Sequence, residues 1–230
     1  MMANRGLALF RFFFAALGFA AIASQFAFNV QNIDDYRPLN FFSFFTIESN
    51  IIAVAAFAIG GWYAWKGQSP RWLEFLRGGA TMYMTITGIV YSLLLSNVQV
   101  DTAVPWINVV LHYTMPTVVV IDWLVDLPRR RISLKESLVF LAFPLLYLVY
   151  SLIRGPIADW YPYPFLDPRI DGYGNVAVMS VLIALVAFVL AVIMALSTRL
   201  QNTVPHPASV PATDQTAGQT AGGAAGQTGS

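Results

Sequence analysis

Six apolar runs, roughly 6–29, 41–65, 78–97, 104–126, 135–153 and 174–198, constrain this chain more than any other feature. Each is close to the ~20 residues a helix needs to cross the hydrocarbon core of a bilayer. No water is available there to bond backbone N–H and C=O groups, so runs of this length satisfy themselves as helices. Barrel strands would be about half as long and would alternate in polarity, which these do not. Charged residues are 11% of the chain, against roughly 25% in a soluble domain. The sequence therefore predicts an all-α polytopic membrane protein, with a six-transmembrane-helix bundle over 1–200 and a disordered tail over 201–230. The tail is Pro-, Gly-, Ala-, Thr- and Gln-rich and cannot bury enough surface to offset ordering entropy. The first run exceeds the ~7–15 apolar residues of a signal peptide and reads as a retained span.

Lys and Arg positions set the expected orientation. With the N-terminus cytoplasmic, Arg5, Lys66, Arg71, Arg77, Arg129, Arg130, Arg131, Lys135 and Arg199 fall inside, and only Arg37, Arg154 and Arg169 fall outside. Arg11 lies in the first span, where it is expected to snorkel. This predicts a multi-pass cell-membrane protein with both termini cytoplasmic. The net charge of +1 and the lack of a basic stripe leave no footprint for nucleic acid. The absence of cysteine removes disulfides, thiolate nucleophiles and cysteine-bound metals.

Polar groups inside hydrocarbon are costly and tend to mark function. The second span opens FFSFFTIESN, in which Thr46 and Asn50 share a helical face and Glu48 points away. The fourth begins PWINVVLHYTMP, with His112 the lone histidine outside the tail and Asn108 one turn earlier, positioned to bond the imidazole. Both spans run the same way, so Thr46 and His112 fall at similar depth, with His112 roughly 12 Å below the boundary by helical rise. A hydroxyl beside an imidazole is the minimal nucleophile–base pair for acyl transfer. Each residue also has a plainer reading, as a back-bonded threonine or helix-gluing amide.

Tyr91, Tyr147 and Tyr150 belong to the same layer and are substrate, oxyanion or orienting candidates, or else an interfacial aromatic belt. Asp122 and Asp126, at the opposite end of span four, are expected to pair with Arg129 to Arg131. The segment RGPIADWYPYPFLDPRIDGYG is too proline-rich for a regular helix. It is expected to lie at the headgroups with Trp160, Tyr161 and Tyr163, or to form a lid over the site.

Together these motifs resemble the family of androgen-induced protein and androgen-dependent TFPI-regulating protein, over roughly residues 1–200. Thr46 matches that family's threonine, and His112 its histidine, four residues after an asparagine (Asn108) and shortly before a proline (Pro116). Trp160 to Asp167 resembles its tryptophan followed by Tyr-Pro-Phe-Leu and an acid. The animal pattern places a further histidine directly after the asparagine, where this chain has Val109. The resemblance implies an integral-membrane threonine hydrolase of fatty acid esters of hydroxy fatty acids, with Thr46 as nucleophile, His112 as base and a lipid ester entering from the bilayer. No cofactor or metal is expected, because a single intramembrane histidine with few carboxylates makes a poor zinc site. The alternatives are a small transporter and a non-catalytic lipid-binding or scaffold protein.

Overall fold

The computed structural model describes residues 4–95 and 104–203. The tail expected from 201 onward lies outside the described residues past position 203, and a tight helical turn continues as far as Thr203. Six helices are long and apolar enough to cross a membrane: α1 (Arg5–Asn32), α2 (Phe45–Trp65), α3 (Arg71–Leu95), α4 (Pro105–Val125), α5 (Leu134–Ala158) and α6 (Pro168–Leu200). No strand occurs among the described residues. The chain is a multi-pass, all-α membrane protein.

Local chemistry sets several of the boundaries. The Asn4 side chain accepts from the Leu7 N–H and caps α1. Helices α4 and α6 both open on proline, whose missing N–H costs nothing in a first turn. Helix α3 begins seven residues earlier than the apolar run suggested. Arg77 was expected on the cytoplasmic side of that run, but it and Glu74 are both buried and partnered within the bundle. Similarly, α5 continues through Pro156 to Ala158 and stops at the left-handed Asp159, so part of the expected loop is helix.

Helices α1 to α4 make the tight part of the bundle, while α5 and α6 are peripheral. The apolar window of α5 is 22% buried and that of α6 17%, against 56–61% for α2 to α4. Small residues let the inner helices approach closely. A Cβ on Gly18 of α1 would lie 2.8 Å from Cγ2 of Val54 in α2 and 2.9 Å from Cε of Met115 in α4.

At the end of the bundle nearest the N-terminus lies a buried charge cluster that corrects two expectations. Asp122 and Asp126 do not pair with Arg129 to Arg131, and Arg11 does not snorkel. Arg11 Nε donates to Asp122 Oδ1 at 2.6 Å and its Nη2 to Asp126 Oδ2 at 2.6 Å. Arg77 Nη2 donates to Asp122 Oδ2 at 2.9 Å, and its Nη1 lies 3.0 Å from Asp126 Oδ2. Arg11 also reaches the Gly60 carbonyl, so α1, α2, α3 and α4 meet at one neutral quartet. Arg129, Arg130 and Arg131 are exposed instead. The order along the chain favoured near neighbours, whereas packing brings together residues more than 100 positions apart.

Candidate functional site

The site lies at the end of the bundle that carries the segment between α5 and α6. Thr46 is the second residue of α2, following Phe45 and the extended Phe44. Phe44 has no side-chain oxygen to satisfy the first N–H groups of the helix. Two tyrosine hydroxyls do so instead. Tyr147 accepts from the Phe45 N–H at 3.2 Å and donates to the Ser43 carbonyl at 2.9 Å. Tyr163 accepts from the Thr46 N–H at 3.3 Å, and its hydroxyl is 3.5 Å from Thr46 Oγ1. Burial pushes the Tyr163 phenol up, so it keeps its proton at neutral pH.

His112 stands in a π-helical turn, Val110–Thr114, between the α-helical parts of α4. Such a wide turn breaks the regular ladder and recurs at functional positions. Its Nδ1 lies 3.2 Å from the Asn108 carbonyl. A carbonyl only accepts, so this bond puts the proton on Nδ1 and leaves Nε2 with its lone pair. The sequence expectation had the Asn108 side chain bonding the imidazole; that side chain donates to the Tyr91 hydroxyl instead, at 2.7 Å. Tyr91 stacks on the imidazole with ring centroids 3.9 Å apart, and it too begins a π-helical turn, Tyr91–Leu95.

Thr46 and His112 line one small cavity of about 50 Å³, together with Gln25 and Asn29 of α1 and Tyr163. Among the described residues, no hydrogen bond joins Thr46 directly to His112. Thr46 also lines a second, larger chamber of about 280 Å³, walled mostly by apolar side chains of α3, α5 and α6. The threonine thus lines both a small cavity, walled by Phe41, Ile47 and Leu111 as well as by these polar side chains, and a large apolar chamber.

The other predicted residues separate into groups. Asn50 is fully buried, and its amide nitrogen donates to the carbonyls of Thr46 and Leu111. It ties the Thr46 turn to the His112 turn, and that donor is occupied. Tyr91 and Tyr147 line the larger chamber. Tyr150 is partly exposed and bonds Ser43 at 2.7 Å, bracing the entry to α2. Trp160 packs edge-on against Phe44 under the Arg154 guanidinium. Tyr161 rests on Gly155 beneath Arg169 and lines neither cavity.

Three residues escaped the sequence reading. Tyr163 was grouped with headgroup aromatics, but it is buried and reaches Thr46. Gln25 and Asn29 are buried amides one turn apart, Nε2 of the first 2.7 Å from Oδ1 of the second. Their signal was present, since two polar amides at i and i+4 in an otherwise apolar span share one inward face. Among the described residues, no three His, Asp or Glu side chains are grouped so as to hold a metal ion. No family model, no curated protein and no solved structure matches the chain.

Proposed function

We propose that this protein is an intramembrane hydrolase of lipid esters of the fatty acid ester of hydroxy fatty acid type, with Thr46 as nucleophile and His112 as general base. One observation carries the reading: the only histidine among the described residues and the helix-terminal Thr46 line the same small cavity, and Thr46 also lines a large apolar chamber. The motif resemblance to the androgen-induced protein family of threonine hydrolases supports the same chemistry.

In this mechanism His112 Nε2 takes the Thr46 proton. The cavity of about 50 Å³ exceeds the ~10–15 Å³ one water needs, so a bridging water can complete the relay. Side-chain adjustment in the Michaelis complex can also shorten the path. Thr46 Oγ1 attacks the ester carbonyl, and the C–O bond to the alcohol breaks as His112 returns the proton to it. Water, deprotonated by His112, then splits the acyl-threonine into acid and free threonine. The oxyanion is met by the Tyr163 O–H, next to the positive end of α2. The proposed setting is a cell membrane with both termini cytoplasmic, which puts Thr46 in the outer half.

A transporter would need charges along its path. The buried charges here pair with one another, and none of the four lines either cavity. The test is labelling by a long-chain fluorophosphonate in wild type, Thr46→Ala and His112→Ala, paired with hydrolysis of a long-chain ester. Labelling and turnover in wild type, lost in both variants while they remain folded, is the expected result. A wild-type protein that neither reacts nor turns over an ester removes the catalytic reading.

A further inference from the structure

We infer that the large chamber seats one hydrocarbon chain of a bilayer ester, and that the chain enters sideways between α5 and α6, past Leu145 and Phe188. This deepens the hydrolase reading by adding a binding site and an entry route, and it rests on that reading for the ester.

The chamber holds about 280 Å³ and is bounded by α3, by α5 and α6, and by the Tyr163–Leu166 turn. One of its few polar groups, the Ser180 hydroxyl of α6, is buried without a hydrogen-bond partner among the described residues, and the rest are at the Thr46 end or are already engaged. Thr87 Oγ1, for instance, is bonded to Ser49 at 2.9 Å. Such a space favours an aliphatic chain over any polar ligand.

Two of the lining side chains are also open to the outside: Leu145 of α5 at 49% exposure and Phe188 of α6 at 48%. Helical rise puts Leu145 roughly 16 Å above the start of α5, and Phe188 roughly 18 Å from the far end of the antiparallel α6. Both therefore sit near the middle of the bilayer. The mouth opens to hydrocarbon, and Tyr147, level with Thr46, is two residues from Leu145 along α5, about 3 Å by rise, so the reacting end lies close to the mouth in depth. The flanking helices suit a passage: they are the least buried of the six, and α5 carries a 3-10 stretch, Leu138–Leu141, ending at the chamber wall. A short 3-10 stretch inside a helix often marks a hinge.

The depth also limits what is held. Tyr147 is level with Thr46, since it bonds Phe45, and Leu141 lies six residues away along α5, about 9 Å by rise. A leaflet is roughly 15 Å deep, so a full-length chain overfills the chamber and its end leaves through the mouth. Rates should rise with chain length for short chains, by roughly fourfold per methylene, and then level off without a long-chain cutoff.

The experiment uses Thr46→Ala in nanodiscs with a long-chain fatty ester bearing a terminal diazirine, read by mass spectrometry after photolysis. Labels are expected on the segments holding Leu145, Ala184 or Phe188. Ala184→Trp should reduce that labelling at least about tenfold and lower the ratio of long- to short-chain kcat/KM as much. Leu145→Trp, at a half-exposed position, supplies the same obstruction should Ala184→Trp fail to fold. Labels elsewhere, or labelling that neither tryptophan reduces, overturn the chamber and its mouth even if esters are hydrolysed. Chamber labelling without any ester turnover overturns the hydrolase reading and leaves the chain site standing.

Discussion

The Tyr91 ring lies over the His112 imidazole, with planes 23° apart, while the Tyr91 hydroxyl takes a 2.7 Å bond from Asn108, whose own carbonyl holds His112 Nδ1. One tyrosine and one asparagine thus fix both the face and the edge of the imidazole. The two contributions are separable. Tyr91→Phe keeps the stack and removes one hydroxyl, so ester kcat should fall less than about tenfold. Tyr91→Ala frees the ring to leave its productive orientation, and misplacement on the scale of an ångström costs about 100-fold. Asn108→Ala leaves the backbone carbonyl in place and should resemble Tyr91→Phe. An Asn108→Ala loss as large as that of His112→Ala would mean that the side chain, not the carbonyl, orients the base.

Tyr163 comes from the segment between α5 and α6, yet its hydroxyl meets both the N–H and Oγ1 of Thr46. Tyr163→Phe retains the ring packed on Phe44 and stacked on Phe165 while deleting the proposed oxyanion donor. Loss of one such donor costs about 10²–10³ in kcat elsewhere. The expected result is a fall in kcat of that order, with little change in KM and a modestly lowered Tm in detergent, because the Thr46 N–H loses its acceptor. A change confined to KM would identify Tyr163 as a substrate-binding residue with no part in stabilising the transition state.

The six spans were legible because lipid imposes one rule on every stretch of backbone, and apolar length reports it directly. Thr46, Asn50 and His112 were legible for a related reason: a polar side chain in an apolar span stands out, and helical rise gives its depth. What the sequence could not supply was pairing between distant positions. Arg11 and Asp122 are 111 residues apart, and nothing local distinguishes a snorkelling arginine from a buried, paired one. Tyr163 failed differently. Aromatic, proline-rich loops usually lie at headgroups, and only the fold shows this one turned inward. The π-helical turns at His112 and Tyr91 have no local sequence signature of the kind proline or glycine gives to a turn.

Glycine substitutions test the packing asymmetry between inner and peripheral helices. At Gly78 a new methyl meets Phe140 at 2.7 Å and Trp123 at 3.3 Å, both buried and unable to move aside. Overpacking costs about 1–3 kcal/mol, more than the ~1 kcal/mol gained in helix propensity. Gly174 in α6 has nothing within 4 Å of its added Cβ, so only the propensity gain remains. Gly78→Ala should lower the Tm in detergent and Gly174→Ala should leave it level or raise it. The opposite order would contradict the close approach at Gly78.

The Arg11–Asp122–Arg77–Asp126 quartet gives the sharpest stability prediction. Asp122 is 4% exposed and bonds both arginines, while Arg77 Nη2 also donates to the carbonyls of Asp122 and Asp126 at the last turn of α4. Those carbonyls carry the negative end of the helix dipole and hold Arg77 further. Removing the Asp122 carboxylate leaves Arg11 and Arg77 facing one another with only Asp126, whose side chain is 40% exposed, between them. Deleting one partner of a buried pair costs about 3–5 kcal/mol, so Asp122→Ala should strongly reduce both folded yield and Tm. None of the four residues lines the cavity of Thr46 and His112, so kcat per folded molecule should remain within about twofold of wild type. Full stability in Asp122→Ala would show that the quartet does not lock the bundle. A folded but inactive Asp122→Ala would instead couple these charges to the chemistry at the far end.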